Sequence, residues 1–415
     1  MADAGHGLKE VRELPALLAA QLANGEEVEE CAAKPATSLG DNFGSTAIAL
    51  DVGIRDAAAG RRRRLHAFCK MLPDDPERRE IFCVDVTFVK EMQMYTLVVP
   101  AMAQLQRDCG VPDEDLATNL VPRCYGARCN LKGTEEVDDD AAIVLEDMRL
   151  RGFGTGDKVK GLDLEHAKLI LEKLAAFQAL AVALRIKRPQ VYEDTVLKAC
   201  RDFTMGTDKE DVDTAAKFGA AIMHNVDKSP EAARHRDAVQ RIIDEAKLGS
   251  GETFPEVREP YASVLHNDLW TNNILVRRDE DGRPQAAALI DFQVARLNSP
   301  FKDVLFFLFT STQPEVTASH LDEMIEAYHA SFCRCLEQVG VDTTPFTLAA
   351  AWEEVKALAR SEFHHIMFML RFINADPAMM RAHPDTFHFL PELGGDNFAR
   401  RAEHVVLQFA KRGWL

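Results

Sequence analysis

Residues 264–276 read VLHNDLWTNNILV, a cluster of polar side chains between two short apolar runs. The apolar runs are typical of buried strands, so the polar groups between them are expected to be buried as well. A buried polar group without a partner costs about 1 to 3 kcal/mol. This cluster must therefore be satisfied by its own members, by a ligand or by a metal ion.

The spacing within this cluster suits phosphoryl transfer. His266, Asp268 and Asn273 form the pattern His-x-Asp-x4-Asn, and Asp291 follows 18 residues after Asn273 between apolar residues. Transfer to a hydroxyl group needs one carboxylate to accept the proton, and a carboxylate with an amide oxygen to hold Mg²⁺ on the nucleotide phosphates. Asp268 is the candidate catalytic base, and Asn273 and Asp291 are the candidate metal ligands. A hairpin turning at 279–284 would bring the two ligands together.

The same residues could form an ordinary polar turn. Asp268 and Asn273 would then cap backbone amides, and His266 would be a hydrogen-bonded core histidine. Capping explains a single Asp or Asn, but it gives no reason for a hairpin that returns a second carboxylate. The pattern therefore favours a catalytic loop.

Residues nearer the N-terminus supply what a kinase requires. Lys70 lies in the predicted strand LHAFCKML (65–72), and Glu91 lies on the inward face of the predicted helix 78–109. In nucleotide kinases a strand lysine contacts the phosphates and a helix glutamate holds that lysine. Because an inward carboxylate is costly unless paired, we expect an ion pair between them. The alternative is that Lys70 extends its amine to solvent and Glu91 is solvated.

A second nucleotide-binding segment is predicted at SLGDNFGSTAIALDV (38–52). Its Gly40, Asn42 and Ser45 precede an alternating strand, as a loop over phosphate groups would.

GFGTG (152–156) contains more glycine, but it follows the predicted strand AAIVLEDM (141–148) and leads toward a helix. We interpret it as a connector. The residues expected beside the adenine base are then those at the end of the strand: Glu146, Asp147 and Met148.

Length and composition indicate a globular protein of two lobes. The chain has 415 residues, 47% of them hydrophobic. A chain of this length is longer than a single hydrophobic core usually supports. Its formal charge of -17 disfavours nucleic acids and anionic membranes as partners. The sequence has nine cysteines but no Cys-x-x-Cys pair, which predicts free thiols. It also has no signal-peptide pattern and no apolar run of 18 residues. Together these features predict a soluble cytoplasmic protein.

The hydrophobic pattern changes at the connector 151–161. Strand-like pieces around one main helix precede it, and the amphipathic helix 162–184, with Asp163 as N-cap, follows. We expect an α+β, two-lobed fold, in which a mainly helical lobe carries the catalytic β-hairpin. The predicted parts are a nucleotide-binding N-lobe with an antiparallel sheet (1–147), a hinge and linker (148–161) and a C-lobe (162–415).

With these parts in this order, the sequence resembles the ecdysteroid-kinase-like family, a branch of the protein-kinase-like fold close to choline kinases and aminoglycoside phosphotransferases. LHNDLWTNNILV (265–276) is similar to the family's HGDxWxNN run. IDFQVARLNSPFKDVLFFLFTS (290–311) is similar to its DFQ...SPxxDLxxFL run. VLEDM (144–148) followed by GLDLEHAKLILEKLA (161–175) adds to the resemblance.

The resemblance implies an ATP- and Mg²⁺-dependent kinase that phosphorylates a hydroxyl group of a steroid-like or other lipophilic small molecule, including foreign compounds destined for detoxification. It implies that Asp303 supports the catalytic loop through hydrogen bonds to its backbone; His266 and Trp270 are assigned to support the same loop. Two positions depart from the family pattern, with Asn267 in place of Gly and Gln178 in place of a usual His. Asn tolerates left-handed backbone angles, so the loop can keep its shape.

ATP and a small hydroxyl acceptor are the expected partners, and a monomer is slightly favoured. Two alternatives stay open: a choline- or aminoglycoside-type kinase with a polar acceptor, and a catalytically silent kinase fold that binds lipophilic compounds. A protein acceptor is disfavoured because NSPFKDVLFF (298–307) begins seven residues after Asp291. This leaves little room for a segment that docks a peptide.

The acceptor pocket is expected between the catalytic loop and the late helices. MIEAYHASF (324–332) and SEFHHIMFMLRF (361–372) provide Met, Phe and His there. Such stripes more often belong to a helical core. His364 and His365 are accordingly interpreted as structural.

Overall fold

The computed structural model describes residues 10–36, 45–203, 212–248, 258–376, 378–379 and 392–415. Its strands are β1 (Glu26–Pro35), β2 (Thr46–Asp56), β3 (Arg61–Met71), β4 (Cys124–Arg128), β5 (Ala142–Glu146), β6 (Phe153–Gly154), β7 (Ser263–Leu265), β8 (Ile274–Arg278), β9 (Pro284–Leu289) and β10 (Arg296–Asn298). Its α-helices are α1 (Leu14–Leu17), α2 (Pro76–Ile81), α3 (Val84–Gln93), α4 (Val99–Asp108), α5 (Leu164–Lys187), α6 (Pro189–Tyr192), α7 (Val212–Asp227), α8 (Pro230–Ala233), α9 (Arg236–Leu248), α10 (Phe301–Ser311), α11 (Pro314–Ser319), α12 (Leu321–Gln338), α13 (Leu348–Ile373) and α14 (Gly395–Arg412).

The first five strands form one antiparallel sheet in the order β1-β2-β3-β5-β4. Successive residues of a strand point to opposite faces, and in β5 both faces are apolar. Ile143 and Leu145 belong to the main hydrophobic core together with residues of α3 and α4. Ala142 and Val144 pack on the other face, in a smaller cluster that includes Leu14. The sheet is therefore covered on both sides, and the N-terminal segment provides the second cover.

The helix predicted over 78–109 is divided. Cys83 has a φ of 46°, which ends α2 and separates it from α3. A π-helical turn, Met94–Val98, joins α3 to α4. Pro100 follows at the start of α4, and proline has no N–H to donate to the preceding turn. A widened turn next to the proline keeps the helix continuous without that hydrogen bond.

The remaining helices surround a core in which α5 packs against α12 and α10 packs against α13. Asp163 caps α5 as predicted, because its carboxylate accepts a hydrogen bond from the backbone N–H of His166 at 3.0 Å. The predicted hairpin is also present, with Ile274 of β8 opposite Leu289 of β9. The connector contributes β6, which pairs with β8 as a third strand. Among the described helices, none has both the length and the apolar character needed to cross a bilayer.

Gly126 of β4 shows how closely the N-terminal segment packs on the sheet. A Cβ atom at this position would lie 2.0 Å from the carbonyl oxygen of Leu17. Gln21 donates a side-chain hydrogen bond to the neighbouring Tyr125 carbonyl at 3.1 Å. Close backbone approach therefore requires glycine at this point of the strand.

We predict that Gly126→Ala lowers the free energy of unfolding by about 1 to 3 kcal/mol, because the added methyl group must displace the Leu17 backbone. Gly154→Ala is the control, since a Cβ atom there meets no atom within 4 Å. The control should stay within about 0.5 kcal/mol of the original protein. Urea unfolding followed by circular dichroism measures both. Equal stabilities of the two variants would contradict this packing.

Candidate active site

One lysine joins three separate elements at the centre of the site. Lys70 of β3 lies with its Nζ 2.6 Å from Glu91 Oε2 on α3 and 2.6 Å from Asp291 Oδ1 after β9. The side chains of Lys70 and Glu91 are almost fully buried. The predicted ion pair with Glu91 is present, and the ion pair with Asp291 is an addition that the sequence did not indicate.

The charges of this triad are strongly coupled. Burial alone would lower the pKa of Lys70, but the carboxylates of Asp291 and Glu91 raise it above its usual value. Burial raises the pKa of Glu91, and the positive charge of Lys70 opposes that shift. Lys70 is therefore a permanent cation that two carboxylates share.

The hairpin brings the two candidate metal ligands together. The backbone N–H of Ile290 donates to the carbonyl oxygen of Asn273 at 3.1 Å, which places Asp291 beside Asn273. Asp291 has a φ of 69°, in the left-handed region that costs a non-glycine residue about 1 to 2 kcal/mol. Such strain persists only where the surroundings hold it, and here Lys70 holds the carboxylate.

Asp268 has a different environment. Asn273 Nδ2 donates to Asp268 Oδ2 at 2.9 Å and to its carbonyl oxygen at 2.8 Å. Burial and the negative charge of Asp291 raise the pKa of Asp268 well above its usual value, while hydrogen bonds from Asn273 and Trp270 oppose the shift. Within the described residues no Lys or Arg forms an ion pair with Asp268. This carboxylate thus binds a proton more strongly than an exposed aspartate.

The donor set fits a magnesium ion. Asn273 uses its amide nitrogen on Asp268, so its amide oxygen is the atom that can face a cation. Asp291 adds a carboxylate, and magnesium prefers such oxygen ligands. A divalent cation would also reduce the repulsion between Asp291 and Asp268 that raises the Asp268 pKa. Asn273 and Asp291 are therefore the residues that would hold it.

Three residues hold the loop in place. Asp303 of α10 accepts hydrogen bonds from the backbone N–H groups of His266 at 2.7 Å and Asn267 at 2.9 Å. His266 donates from Nε2 to the Ile290 carbonyl at 2.8 Å, and burial lowers its pKa to about 4, so it is neutral. These are the contacts expected of loop-supporting residues. Trp270 hydrogen-bonds to Asp268 and lies 5.9 Å from Lys158 Nζ.

The predicted nucleotide-binding residues are placed in part. Gly40 and Asn42 lie outside the described residues. Ser45, one residue before β2, is buried, and its Oγ has no hydrogen-bond partner among the described residues, which leave out 37–44. Ala47, two residues further on, lies opposite Lys70 in the sheet. Contact of this hydroxyl with a phosphate oxygen stays a prediction.

The three residues at the end of β5 and directly after it, Glu146, Asp147 and Met148, contact neighbouring protein groups. The Glu146 carboxylate lies 3.3 Å from Arg151, and its backbone N–H donates to the Arg123 carbonyl. The Asp147 carboxylate caps the following 3₁₀ turn and lies 2.7 Å from Arg149. Met148 is buried in a small cluster with Phe153 and Ala288. Contact of these three residues with an adenine base stays a prediction.

A family model described as the ecdysteroid kinase-like family matches residues 39–341. The chain belongs to this family. The matched residues contain the Lys70 triad, the catalytic loop and Asp303. The antiparallel sheet, the helical region and this membership confirm the predicted α+β, protein-kinase-like fold.

Several solved structures are similar to the chain at low identity. An ethanolamine kinase from Plasmodium vivax is 12% identical over 92% of this chain and 83% of its own, with a TM-score of 0.41. A choline kinase from Cryptosporidium parvum is 12% identical over 93% and 91%, with a TM-score of 0.44. An aminoglycoside 2'-phosphotransferase is 13% identical over 86% and 100%, with a TM-score of 0.36. No curated protein matches the chain in sequence.

The structure accommodates both residues that depart from the family pattern, Asn267 and Gln178. Asn267 has a φ of 63°, the left-handed conformation that glycine adopts at no cost and that asparagine tolerates. Gln178 of α5 is fully buried and donates from Nε2 to Asp303 Oδ2 at 2.9 Å. Its Oε1 accepts a hydrogen bond from the Tyr328 hydroxyl at 2.6 Å. The glutamine therefore links the carboxylate beneath the catalytic loop to α12.

A row of aromatic side chains behind the site was not recognised in the sequence. The Phe292 ring, directly after Asp291, lies 5.6 Å from Tyr95, 5.3 Å from Phe177 and 4.9 Å from His266. These side chains come from the π turn after α3, from α5 and from the catalytic loop. Their apolar character was visible, but nothing in the spacing showed that they would meet.

We predict that Gln178→Leu lowers the free energy of unfolding by about 2 to 4 kcal/mol, because Asp303 loses a donor and Tyr328 loses its acceptor in a buried site. Gln178→His should lose less, since an imidazole can supply one of these contacts. Gln190→Leu, at an exposed position of α6, is the control and should stay within about 0.5 kcal/mol. Chemical unfolding measures all three, and a Gln178→Leu variant as stable as the control would show that the buried link is not needed.

Proposed function

We propose that the protein is an ATP- and Mg²⁺-dependent kinase that transfers the γ-phosphoryl group to a hydroxyl group of a small lipophilic molecule. One observation supports this most directly. Lys70 is shared by Glu91 and Asp291, while Asp268, beside them, has a raised pKa and hydrogen bonds only from neutral donors among the described residues. A permanent cation for phosphates and a separate proton acceptor are the two groups that phosphoryl transfer needs.

The proton route follows from the Asp268 environment. The acceptor hydroxyl oxygen forms a bond to the γ-phosphorus while the bond from this phosphorus to the β–γ bridging oxygen breaks. The hydroxyl proton passes to Asp268, whose carboxylate Asn273 and Trp270 orient. A bound magnesium ion supplies charge neutralisation of the phosphate oxygens. Lys70 contributes a second positive charge, and Glu91 keeps that charge in place.

The lipophilic acceptor class rests on an aromatic cluster of α7 and α13. Phe218 lies 4.9 Å from the His364 ring and 5.0 Å from Phe368, and Phe368 lies 4.6 Å from Phe372. Phe368 is 38% exposed. Burial lowers the pKa of His364 to about 4, so that ring is uncharged. Phe218 is buried beside the Arg371 guanidinium, 5.1 Å from its ring centre, and the exposed Phe368 is the member that favours an apolar ligand.

This cluster is connected to the catalytic loop. Glu362, six residues before Phe368 on α13, lies 2.8 Å from Lys302 in a buried ion pair. Lys302 precedes Asp303, which holds the loop backbone. Phe368 follows Glu362 by about 9 Å along the helix axis, so α13 carries both this ion pair and the proposed acceptor surface.

Two alternatives stay open. A choline- or aminoglycoside-type kinase would take a polar acceptor, and because aromatic rings also bind quaternary ammonium groups, the substrate screen has to include choline and glycosides beside lipophilic compounds. A catalytically silent binding protein would lack a response to nucleotide. A shift in melting temperature on adding Mg-ATP separates the kinase from the silent protein.

We predict that Asp268→Asn abolishes phosphorylation but leaves Mg-ATP affinity within about threefold, because the amide cannot accept the proton although it keeps the shape of the loop. Asp291→Ala should weaken Mg-ATP binding instead. Asp281→Asn, in the exposed β8–β9 turn, is the control. Substrates are found by mass spectrometry after incubation with heavy-isotope ATP and mixtures of sterols, phenols, glycosides and choline. Turnover by Asp268→Asn at the original rate would exclude Asp268 as the base.

We further predict that Phe368→Ser raises the KM of the accepted compound about tenfold and leaves the KM of ATP unchanged, because it removes apolar contact area without touching the phosphate site. Leu348→Ser is the matched control: Leu348 is also 38% exposed and begins the same helix. Steady-state kinetics measure both variants. If the two variants behave alike, the aromatic cluster is not the acceptor surface.

A further inference from the structure

Lys90, directly before Glu91 on α3, is a lysine with no solvent exposure. Its Nζ donates to the backbone carbonyl of Arg201 at 2.6 Å and lies 4.3 Å from the centre of the Phe203 ring. Burial lowers the pKa of Lys90 to about 8. A buried ammonium group is costly unless it is compensated. The direct partners of Lys90 among the described residues are a neutral carbonyl and an aromatic face, and the negative charge of Asp202 also favours its charged form.

The Phe203 ring has a second cation beside it. The guanidinium carbon of Arg296 lies 5.3 Å from the ring centre, and the positive charge of Arg296 acts against that of Lys90. The negative face of an aromatic ring attracts a nearby cation, by about 0.5 to 2 kcal/mol depending on exposure. Phe203 therefore offsets a repulsion that would otherwise separate the two side chains.

The three residues connect the elements that carry the site. Lys90 belongs to the same helix as Glu91. Arg296 begins β10, five residues after Asp291, and lies opposite Leu265 of β7, directly before His266. Phe203 follows α6 and its π turn, and this turn contacts the π turn after α3. A single ring thus joins the helix of the small lobe to the strand pair at the base of the catalytic loop.

We propose that Lys90, Phe203 and Arg296 form a clamp that positions α3 so that Glu91 holds Lys70. This inference rests on the proposed kinase function. The clamp matters because Lys70 is shared: when α3 moves away, Lys70 loses Glu91 and stays with Asp291. A lysine held by Asp291 alone competes with the metal ion for that carboxylate. The three side chains are positioning residues and none of them contacts the reacting atoms.

Phe203→Leu is the main test because it removes the ring and keeps an apolar side chain. It should weaken Mg-ATP binding about tenfold in calorimetry, raise the Mg²⁺ concentration needed for half-maximal activity by a similar factor, and change kcat little. Hydrogen exchange of the amides in 84–93 should become faster. Lys90→Met should act in the same direction, and Lys90→Arg, which keeps the cation, should stay within about threefold of the original protein.

Trp414→Leu is the matched control. Trp414 also lies beside a cation, with Arg412 5.4 Å from its ring, but it is located at the end of α14. This variant should leave exchange in 84–93 and Mg-ATP affinity unchanged. If α3 exchanges at the original rate in Phe203→Leu, or exchanges faster without any loss of Mg-ATP affinity, the clamp is refuted. If the original protein does not bind Mg-ATP at all, the proposed kinase function fails, and the hydrogen exchange alone then shows whether Phe203 holds α3.

Discussion

The ion pairs of Lys70 are the interaction on which the active site depends. They join β3, α3 and the segment after β9. Lys70 and Asp291 are 221 positions apart in the sequence. Removing one partner of such a buried group leaves an uncompensated charge, which costs about 3 to 5 kcal/mol. The relative position of sheet, helix and hairpin is therefore set by charge, while the surrounding apolar core provides the bulk of the stability.

Each aspartate of the candidate site is stabilised in a different way, in line with the separate roles proposed for them. Asp303 accepts two backbone N–H groups and the amide of Gln178, although burial still raises its pKa to about 7. The Asp291 carboxylate forms an ion pair with Lys70. Asp268 has hydrogen bonds from Asn273 and Trp270. The loop-supporting, metal-binding and proton-accepting roles proposed for these three aspartates thus coincide with three different environments.

The parts of the site that follow from short spacing could be predicted from the sequence. The β8–β9 hairpin, the N-cap of α5 and the ion pair of Lys70 with Glu91 each depend on a local pattern or on the cost of an inward charge. The two-lobed α+β fold followed from the change of hydrophobic pattern at 151–161. The roles of the individual site residues are still predictions, because geometry shows where groups lie and not what they bind.

Other features could not be predicted, for a physical reason. The link from Lys70 to Asp291, the contacts of Gln178 and the meeting of Phe203 with two cations all join distant segments through side chains whose local pattern is unremarkable. The division of helix 78–109 at Cys83 had no glycine or proline to mark it. The N-terminal segment showed apolar residues, but their partner, the second face of the sheet, could not be identified from one sequence.

The proposed acceptor surface belongs to a part of the chain beyond the family match, which ends at residue 341. Helix α13 lies in that part, yet its Glu362 is paired with Lys302, the neighbour of the loop-supporting Asp303. Both charges are buried, so separating them costs several kcal/mol. Helix α13 therefore cannot shift without disturbing α10 and the catalytic loop. Under the proposed function, acceptor specificity would therefore come from the side chains that α13 presents, such as Phe368, and not from movement of the helix as a whole.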